Sequence, residues 1–374
     1  MRPLQQSEQS VTSVLIWDLP LRLFHWAMVL VVCVAAVTGY LFEDWWLDVH
    51  VWAGYALTAL LLFRLIWGFV GSYYSRFNSF PLSIGGVRTH LFDLLRGRSD
   101  PKEGHTPVGA WMIVLLLTTL IGLVVSGFVV WGGQENNGPL ASVISYGVGK
   151  GVEDVHEIFA NILMGLIGVH LAGVLVETVI FKHDLIRAML TGEKQVVPSG
   201  KSTAGLKHSV IGIVLFTVIA FGLTYWINSA SRANEVAALD QIYKQACGEC
   251  HMAYHPSLRT QSAWDQLMQG LEDHYGEDAS LSDEVAQTVR TYLKDNNALN
   301  FDTEAAHKIG RINTPSLRIT DTRFWQKKHD DFKDADFRHP AVGSKINCIA
   351  CHKDAETGRF DDASIKLPKG IKYD

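Results

Sequence analysis

The sequence predicts an all-α protein in two parts, a bundle of transmembrane helices followed by a soluble C-terminal domain. The chain of 374 residues is 48% hydrophobic and 19% charged, but residues 1–228 are mostly apolar and the rest are polar and charged. The weak net charge of −5 does not suggest a nucleic-acid partner. Five apolar runs approach the roughly 20 residues that cross a bilayer, at about 23–42, 50–71, 108–131, 155–180 and 209–228.

The distribution of Lys and Arg predicts the orientation of these helices. Segments 72–108 and 181–208 are rich in basic residues, whereas segments 43–49 and 132–154 carry only Lys150 between them. Because basic loops stay on the cytoplasmic side, the N-terminus is expected in the cytoplasm. Five crossings of the bacterial inner membrane then place the C-terminal domain in the periplasm.

Four histidines lie in the apolar runs at two matched depths. His156 and His170 are fourteen residues apart, about 21 Å along one face of a helix. His50 opens the second run at the outer side, and His25 opens the first run at the inner side. An interhelical hydrogen bond would explain any single histidine. Two bis-histidine haems, one held by His50 and His156 and one by His25 and His170, explain all four together, since metal ligation satisfies an otherwise costly polar ring.

Two charged residues in the runs have open interpretations. Arg64 lies near the depth of His170 and would pair with a propionate of the inner haem, or its side chain would extend to the inner surface. Glu177 lies seven residues beyond His170, on nearly the same face of the helix and toward the cytoplasm. It would carry protons at a quinone site, or it is an ordinary interfacial carboxylate.

The polar part contains two C-x-x-C-H sequences, the attachment pattern of c-type haem. Cys247, Cys250 and His251 form the first copy, in "CGECH", and Cys348, Cys351 and His352 form the second, in "CIACH". The paired thiols form thioether bonds and the histidine becomes the proximal iron ligand. A single copy could be a redox pair or half a zinc site, but two copies, each followed by His, favour two covalent haems.

These residues resemble two known families. Residues 1–195 are similar to the bacterial cytochrome b561 group, which includes the cytochrome b subunits of nickel–iron hydrogenases, through "WDLPLRLFHW", "GHTPVGAWMIVLLL" and "VHEIFANILMGLIGVHLAGVL". The resemblance implies a four-helix core with two b haems on the same four histidines. Residues 196–240 would form a fifth, tethering helix and a linker.

Residues 241–374 resemble the diheme cytochrome c family, a mostly helical and loop-rich domain. The similarity rests on "CGECHMAYHPSL", "GLEDHYGEDASL", "RITDTRFWQKKHDDF" and "NCIACHKDAETGRFD". It implies His274 as the distal ligand of the first c haem. For the second c haem, both His329 and His339 precede the attachment sequence, and the surroundings of His329 match the family better.

The expected function is membrane-bound electron transfer between the quinone pool and a periplasmic electron-transfer protein. The electrons would pass through two b haems and two c haems. Quinol would be oxidised by the chain, as in a quinol:cytochrome c-type oxidoreductase. Two alternatives stay open: a relay and anchor subunit of a larger redox complex, and oxidation of superoxide with reduction of quinone. The appended diheme domain argues against the second. A homo-oligomer is also compatible with the sequence.

Overall fold

The computed structural model describes residues 12–42, 46–99, 102–197, 205–232, 239–312 and 315–371. Over these residues the chain is mainly helical, as predicted, with one two-stranded sheet. It divides into two compact units. The first comprises Met1–Leu41, Val49–Gly127 and Glu153–Trp226, and the second comprises Phe42–Asp48, Phe128–Val152 and Ile227–Asp374.

Among the described residues, five helices are long and apolar enough to cross a membrane, which confirms the five predicted crossings. Their hydrophobic side chains are largely exposed in the isolated chain, as expected for surfaces that face lipid. These helices are α1 (Leu19–Tyr40), α2 (Leu47–Val70), α4 (Pro107–Gly133), α5 (Tyr146–Leu175) and α7 (Leu206–Arg232), with shorter helices α3 (Ile84–Leu95) and α6 (Leu185–Thr191) between them.

Helix α5 begins nine residues before the predicted apolar run and ends in a π-helical turn, Val176–Ile180. The apolar pattern marks only the part of a helix that lies in hydrocarbon. Backbone hydrogen bonding continues through the Gly-rich and charged residues 146–154, so the helix is longer than its apolar segment.

The first unit contains a small two-stranded sheet, which is formed by residues 12–15 and 193–196. Strand β1 (Thr12–Leu15) pairs antiparallel with β2 (Glu193–Val196), with Thr12 opposite Val196. No local pattern in the sequence predicted these four-residue strands. Ile16, Trp17 and Trp67 are buried beneath the sheet.

Asp18 joins the start of α1 to this core. Its carboxylate caps the helix by accepting from the backbone N–H of Leu21 at 2.8 Å. It also accepts from the hydroxyls of Ser72 and Ser75, both at 2.6 Å, and from the indole of Trp67 at 3.1 Å. Burial of a carboxylate costs free energy unless the group is hydrogen-bonded. These contacts therefore stabilise the N-terminus of α1.

The polar part of the second unit consists of short helices that pack around two small hydrophobic cores. Many single helical turns connect these helices. Tyr243, Trp264, Val289 and Leu293 form one core, and Leu258, Ala305 and Ile309 form the other. Residues 198–204 and 233–238 of the predicted linker lie outside the described residues. The helices of this part are α8 (Gln241–Cys247), α9 (Gln261–Gln269), α10 (Asp283–Asp295), α11 (Arg323–Lys328) and α12 (Asp334–Phe337).

Candidate haem sites

His50 on α2 and His156 on α5 face each other in the first unit. Their ring centroids are 6.2 Å apart and the ring planes are inclined by 77°. Nδ1 of His50 lies 3.0 Å from the carbonyl oxygen of Ala35, and Nδ1 of His156 lies 3.0 Å from the hydroxyl oxygen of Ser126. A metal-bound histidine commonly uses its second nitrogen in this manner. Nε2 of each ring is therefore the nitrogen left for a metal.

Two glycines let the backbone of neighbouring helices approach these rings closely. A methyl group on Gly39 would lie 3.1 Å from Cε1 of His50, and one on Gly127 would lie 3.2 Å from Cε1 of His156. The positions at Gly54 and Gly165 have nothing within 4 Å. Only the first two glycines thus border the histidine pair.

His25 on α1 and His170 on α5 are the second predicted membrane pair. His170 lies within electrostatic range of His25. Nδ1 of His25 is buried and has no hydrogen-bond partner among the described residues. A buried ring nitrogen without a partner is uncommon in native proteins, and this one fits a ring that a bound cofactor holds in place.

Arg64 is buried, with 3% of its surface exposed, and does not extend to the surface. Its Nη1 donates to the carbonyl oxygen of Ser75 at 3.1 Å, and its guanidinium carbon lies 4.6 Å from the centroid of the Phe77 ring. A propionate contact for Arg64 stays a prediction.

Glu177 has partners that the sequence analysis missed. Its carboxylate lies 2.8 Å from Nδ1 of His183 and 3.6 Å from Nε2 of His90, and it accepts from the Ser99 hydroxyl at 3.1 Å. The six-residue separation of Glu177 and His183 is not an α-helical neighbour spacing, and only the π-helical turn and the turn after it bring them together.

The two C-x-x-C-H histidines each face a second histidine in the polar part. His251 and His274 are 6.3 Å apart between ring centroids, with planes inclined by 35°. His352 and His329 are 6.1 Å apart, with planes inclined by 59°. Nδ1 of His251 lies 2.7 Å from the carbonyl oxygen of Met252, and Nδ1 of His329 lies 2.8 Å from that of Trp325.

Burial keeps these groups neutral. It lowers the pKa of His352 to about 4, with His329 as a smaller cause, and it also lowers the pKa of His329 and of His274. The pKa of the Cys247 thiol and that of the Cys348 thiol are raised by burial to about 11. Neutral imidazole is the form that ligates a metal.

An apolar cavity separates His329 from His352. Cys348 and Cys351 line it together with both histidines. His339 does not line this cavity, and its Nε2 instead lies 3.1 Å from the place of a methyl group on Gly370. Aromatic residues form much of the remaining wall: Phe324, Trp325, Phe332, Phe337 and Phe360.

The three measured ring separations fit iron ligation by two histidines. Two metal–imidazole bonds of about 2 Å each, with about 1.1 Å from each nitrogen to its ring centre, give about 6.2 Å between centroids. The observed values are 6.1, 6.2 and 6.3 Å. The buried Nδ1 atoms of His25 and His352, which have no hydrogen-bond partner among the described residues, agree with the same interpretation.

Comparison with known families assigns both parts of the chain. The profile of "Prokaryotic cytochrome b561" matches residues 16–192, and that of "Dihaem cytochrome c" matches residues 243–360. The chain belongs to both families. It is a prokaryotic cytochrome b561 joined to a dihaem cytochrome c, as the sequence resemblance indicated.

Relatives of the cytochrome b561 part are hydrogenase subunits by name. The chain is 26% identical over 224 residues to the "Probable Ni/Fe-hydrogenase 1 B-type cytochrome subunit" of Escherichia coli, covering 50% of this chain and 94% of that protein. The corresponding protein of Azotobacter vinelandii is 24% identical over 223 residues, which cover 50% of this chain and 91% of the relative.

Solved structures similar to the dihaem cytochrome c part come from two bacteria. A diheme cytochrome c of Shewanella baltica is 30% identical, with coverage of 36% of this chain and 97% of that chain and a TM-score of 0.29. That of Rhodobacter sphaeroides is 32% identical, with coverage of 33% and 99% and a TM-score of 0.29. Membership of the two families makes the fusion a multi-pass membrane protein that transfers electrons through b-type and c-type haem.

Proposed function

We propose that the fusion oxidises quinol in the bacterial inner membrane and delivers the electrons to a periplasmic redox protein. The observation that carries this proposal is the set of three facing histidine pairs with nearly equal separations, one in the membrane helices and two in the dihaem cytochrome c part. A chain with haem sites in both parts can connect a lipid-soluble donor with a water-soluble acceptor.

Four haem sites follow from the histidines and cysteines. His25 with His170, and His50 with His156, would hold two b haems. His251 with His274, and His352 with His329, would hold two c haems, attached through Cys247 and Cys250 and through Cys348 and Cys351. When bound, haem supplies reversible one-electron chemistry between ferrous and ferric iron.

The protein's own residues orient and tune these sites. Carbonyl and hydroxyl oxygens engage Nδ1 of His50, His156, His251 and His329, so Nε2 of each ring is the nitrogen that would bind iron. Bis-histidine ligation favours a lower potential than ligation by His and Met. The aromatic wall around His329 and His352 makes the surroundings of that site mainly apolar.

Oxidation of a quinol also releases protons, and the Glu177 cluster supplies acceptors. The Glu177 carboxylate lies 3.6 Å from Nε2 of His90 and 2.8 Å from Nδ1 of His183. Arg64 would pair with a haem propionate of the inner site. The basic residues of segments 72–108 and 181–208 support a cytoplasmic location for this end of the helices.

A second candidate function is a relay subunit without its own quinol site. The relatives are named as cytochrome subunits of hydrogenases, and the fusion spans 94% of the Escherichia coli protein. In that case a separate dehydrogenase would supply the electrons, and a larger complex would be the functional unit.

Anaerobic mixing of the purified full chain with a short-chain quinol distinguishes the two functions. Reduction of b haem, followed by c haem, is expected in stopped-flow spectra if the chain oxidises quinol. If dithionite reduces all haems but the quinol reduces none, the proposed quinol oxidation is wrong and the relay function is favoured. A Glu157→Gln variant, on the exposed side of α5, is the matched control for Glu177→Gln, which should slow only the quinol-dependent phase.

A further inference from the structure

The loop between α4 and α5 packs on the dihaem cytochrome c part, and both belong to the second unit. Nδ2 of Asn137 donates to Oδ2 of Asp361 at 2.6 Å, and the backbone N–H of Asp362 donates to Oε2 of Glu135 at 3.0 Å. The Asn137 and Glu135 side chains therefore hold two consecutive residues of the cytochrome c part.

The first residue of α5 extends this contact surface. The backbone N–H of Tyr146 donates to Oδ2 of Asp302 at 2.9 Å, and its hydroxyl donates to Oε1 of Glu304 at 3.2 Å. Its ring lies 4.6 Å from the ring of His307 between centroids. Two separate segments, 302–307 and 361–362, are thus held by one loop and the helix that follows it.

Both segments belong to the second C-x-x-C-H site. Glu304 and Asp362 line the cavity between His329 and His352. Phe360, which directly precedes Asp361, has its ring 5.3 Å from that of His352. The loop consequently contacts the wall of the second site itself.

The first C-x-x-C-H site is built from other elements and has exposed edges. Cys250 is exposed, and Tyr275, the neighbour of His274, is 51% exposed. Its attachment sequence follows α8, and its second histidine lies between α9 and α10. A soluble protein can approach this site from solvent.

We infer that the second C-x-x-C-H site is the receiving site of the cytochrome c part and that the first is its delivering site. This inference rests on the proposed function. The loop that contacts the second site leads directly into α5, the helix that carries His156. Each step oxidises the outer membrane site by one electron and reduces the second c site by one electron, and no covalent bond changes. The periplasmic redox protein is the final oxidant.

A pair of loop variants tests the contact. Asn137→Asp replaces the donor to Asp361 by a second carboxylate. Asn136→Asp makes the same charge change at the preceding residue, whose amide donates to the loop carbonyl of Gln134 at 3.5 Å. Hydrogen exchange on the full chain should show faster exchange of residues 354–362 in Asn137→Asp than in Asn136→Asp. Equal exchange in the two variants would overturn the proposed contact.

Ligand variants test the order of the two c sites. His329→Met should give the second c haem the separate charge-transfer absorption of ferric His/Met haem and a higher potential. Because an electron leaves a haem of raised potential less readily, reduction of the first c haem by quinol should be slower in His329→Met than in the wild type. In His274→Met, which raises the potential of the first c haem, the second c haem should still be reduced at the wild-type rate. Wild-type reduction of the first c haem in His329→Met would overturn the inference, whereas absence of b haem reduction would contradict the proposed quinol oxidation instead.

Discussion

The rings of His50 and His156 face each other across 6.2 Å, and each Nδ1 is engaged by an oxygen of the helix on its other side. Ala35 belongs to α1 and Ser126 to α4, so four helices contribute to the orientation of one histidine pair. The two rings are therefore expected to behave as one site.

The first prediction concerns the number of membrane haems. The wild-type chain should contain equal amounts of b and c haem in a pyridine haemochrome assay. His50→Ala, His156→Ala and the double variant should each contain half as much b as c haem, because the two histidines share one iron.

The control for this pairing combines histidines of different sites. Replacing His25 and His156 together should remove all b haem while the covalent c haems remain. If the His50 and His156 double variant in folded protein also loses all b haem, the assigned pairing is wrong.

The second prediction uses the glycines that border the outer pair. Gly127→Val should remove most of the outer b haem, because even a methyl group would lie 3.2 Å from Cε1 of His156. Gly165→Val is the matched control. Gly165 also lies on a membrane helix, α5, but no atom lies within 4 Å of an added methyl group, so this variant should keep a full complement of b haem. Equal haem contents of the two variants would show that Gly127 does not border the haem.

Much of this architecture follows from the sequence because the bilayer imposes a simple constraint. A helix must satisfy its own backbone in hydrocarbon, so long apolar runs predicted all five crossings. His156 and His170 could be placed at two depths because the rise per residue of a helix is constant. The C-x-x-C-H sequences carry their chemistry in adjacent residues.

Features that depend on distant contacts were not predictable in the same way. The strands β1 and β2 have four residues each and are separated by 177 residues of intervening chain between Leu15 and Glu193, so no local pattern marks their pairing. The contact of Asn137 with Asp361 is likewise a long-range hydrogen bond between a loop and a turn. Glu177 and His183 meet through a π-helical turn, whose spacing differs from the α-helical pattern used to interpret the sequence.

The third prediction concerns Gly358, which holds the turn after the second attachment sequence. It has a φ of +70°, and a methyl group there would overlap the buried ring of His255. Gly343 has a φ of +87° with nothing within 4 Å. Gly343→Ala should therefore cost about 1–2 kcal/mol from backbone strain alone, whereas Gly358→Ala should cost clearly more.

Thermal unfolding followed by circular dichroism of the c haem absorption would measure this difference. Equal melting temperatures of the two variants would mean that the His255 ring can move away, and that Gly358 is needed for its backbone conformation only.

The last prediction concerns the pH dependence of the cytochrome c part. Burial, with Asp354 as the next cause, raises the pKa of Asp361 to about 7. Its unfolded pKa is about 3.9, so the folded state binds one more proton between these values. The resulting stabilisation is complete below about pH 4 and is lost as the pH rises through 7. Glu135, whose pKa is also raised by burial and by Asp362 and Asp361, contributes with the same sign.

The melting temperature of the cytochrome c part should accordingly fall between pH 5.5 and pH 8. Asp361→Asn should reduce this fall, because a neutral amide replaces the carboxyl that must lose its proton. Asp278→Asn is the control, since hydrogen bonds from Ser280 lower the pKa of this exposed carboxyl and it is already ionised throughout the range. If the melting temperature of Asp361→Asn falls with pH as steeply as that of Asp278→Asn, Asp361 does not titrate near pH 7. The contact between Asn137 and Asp361 would then be insensitive to pH.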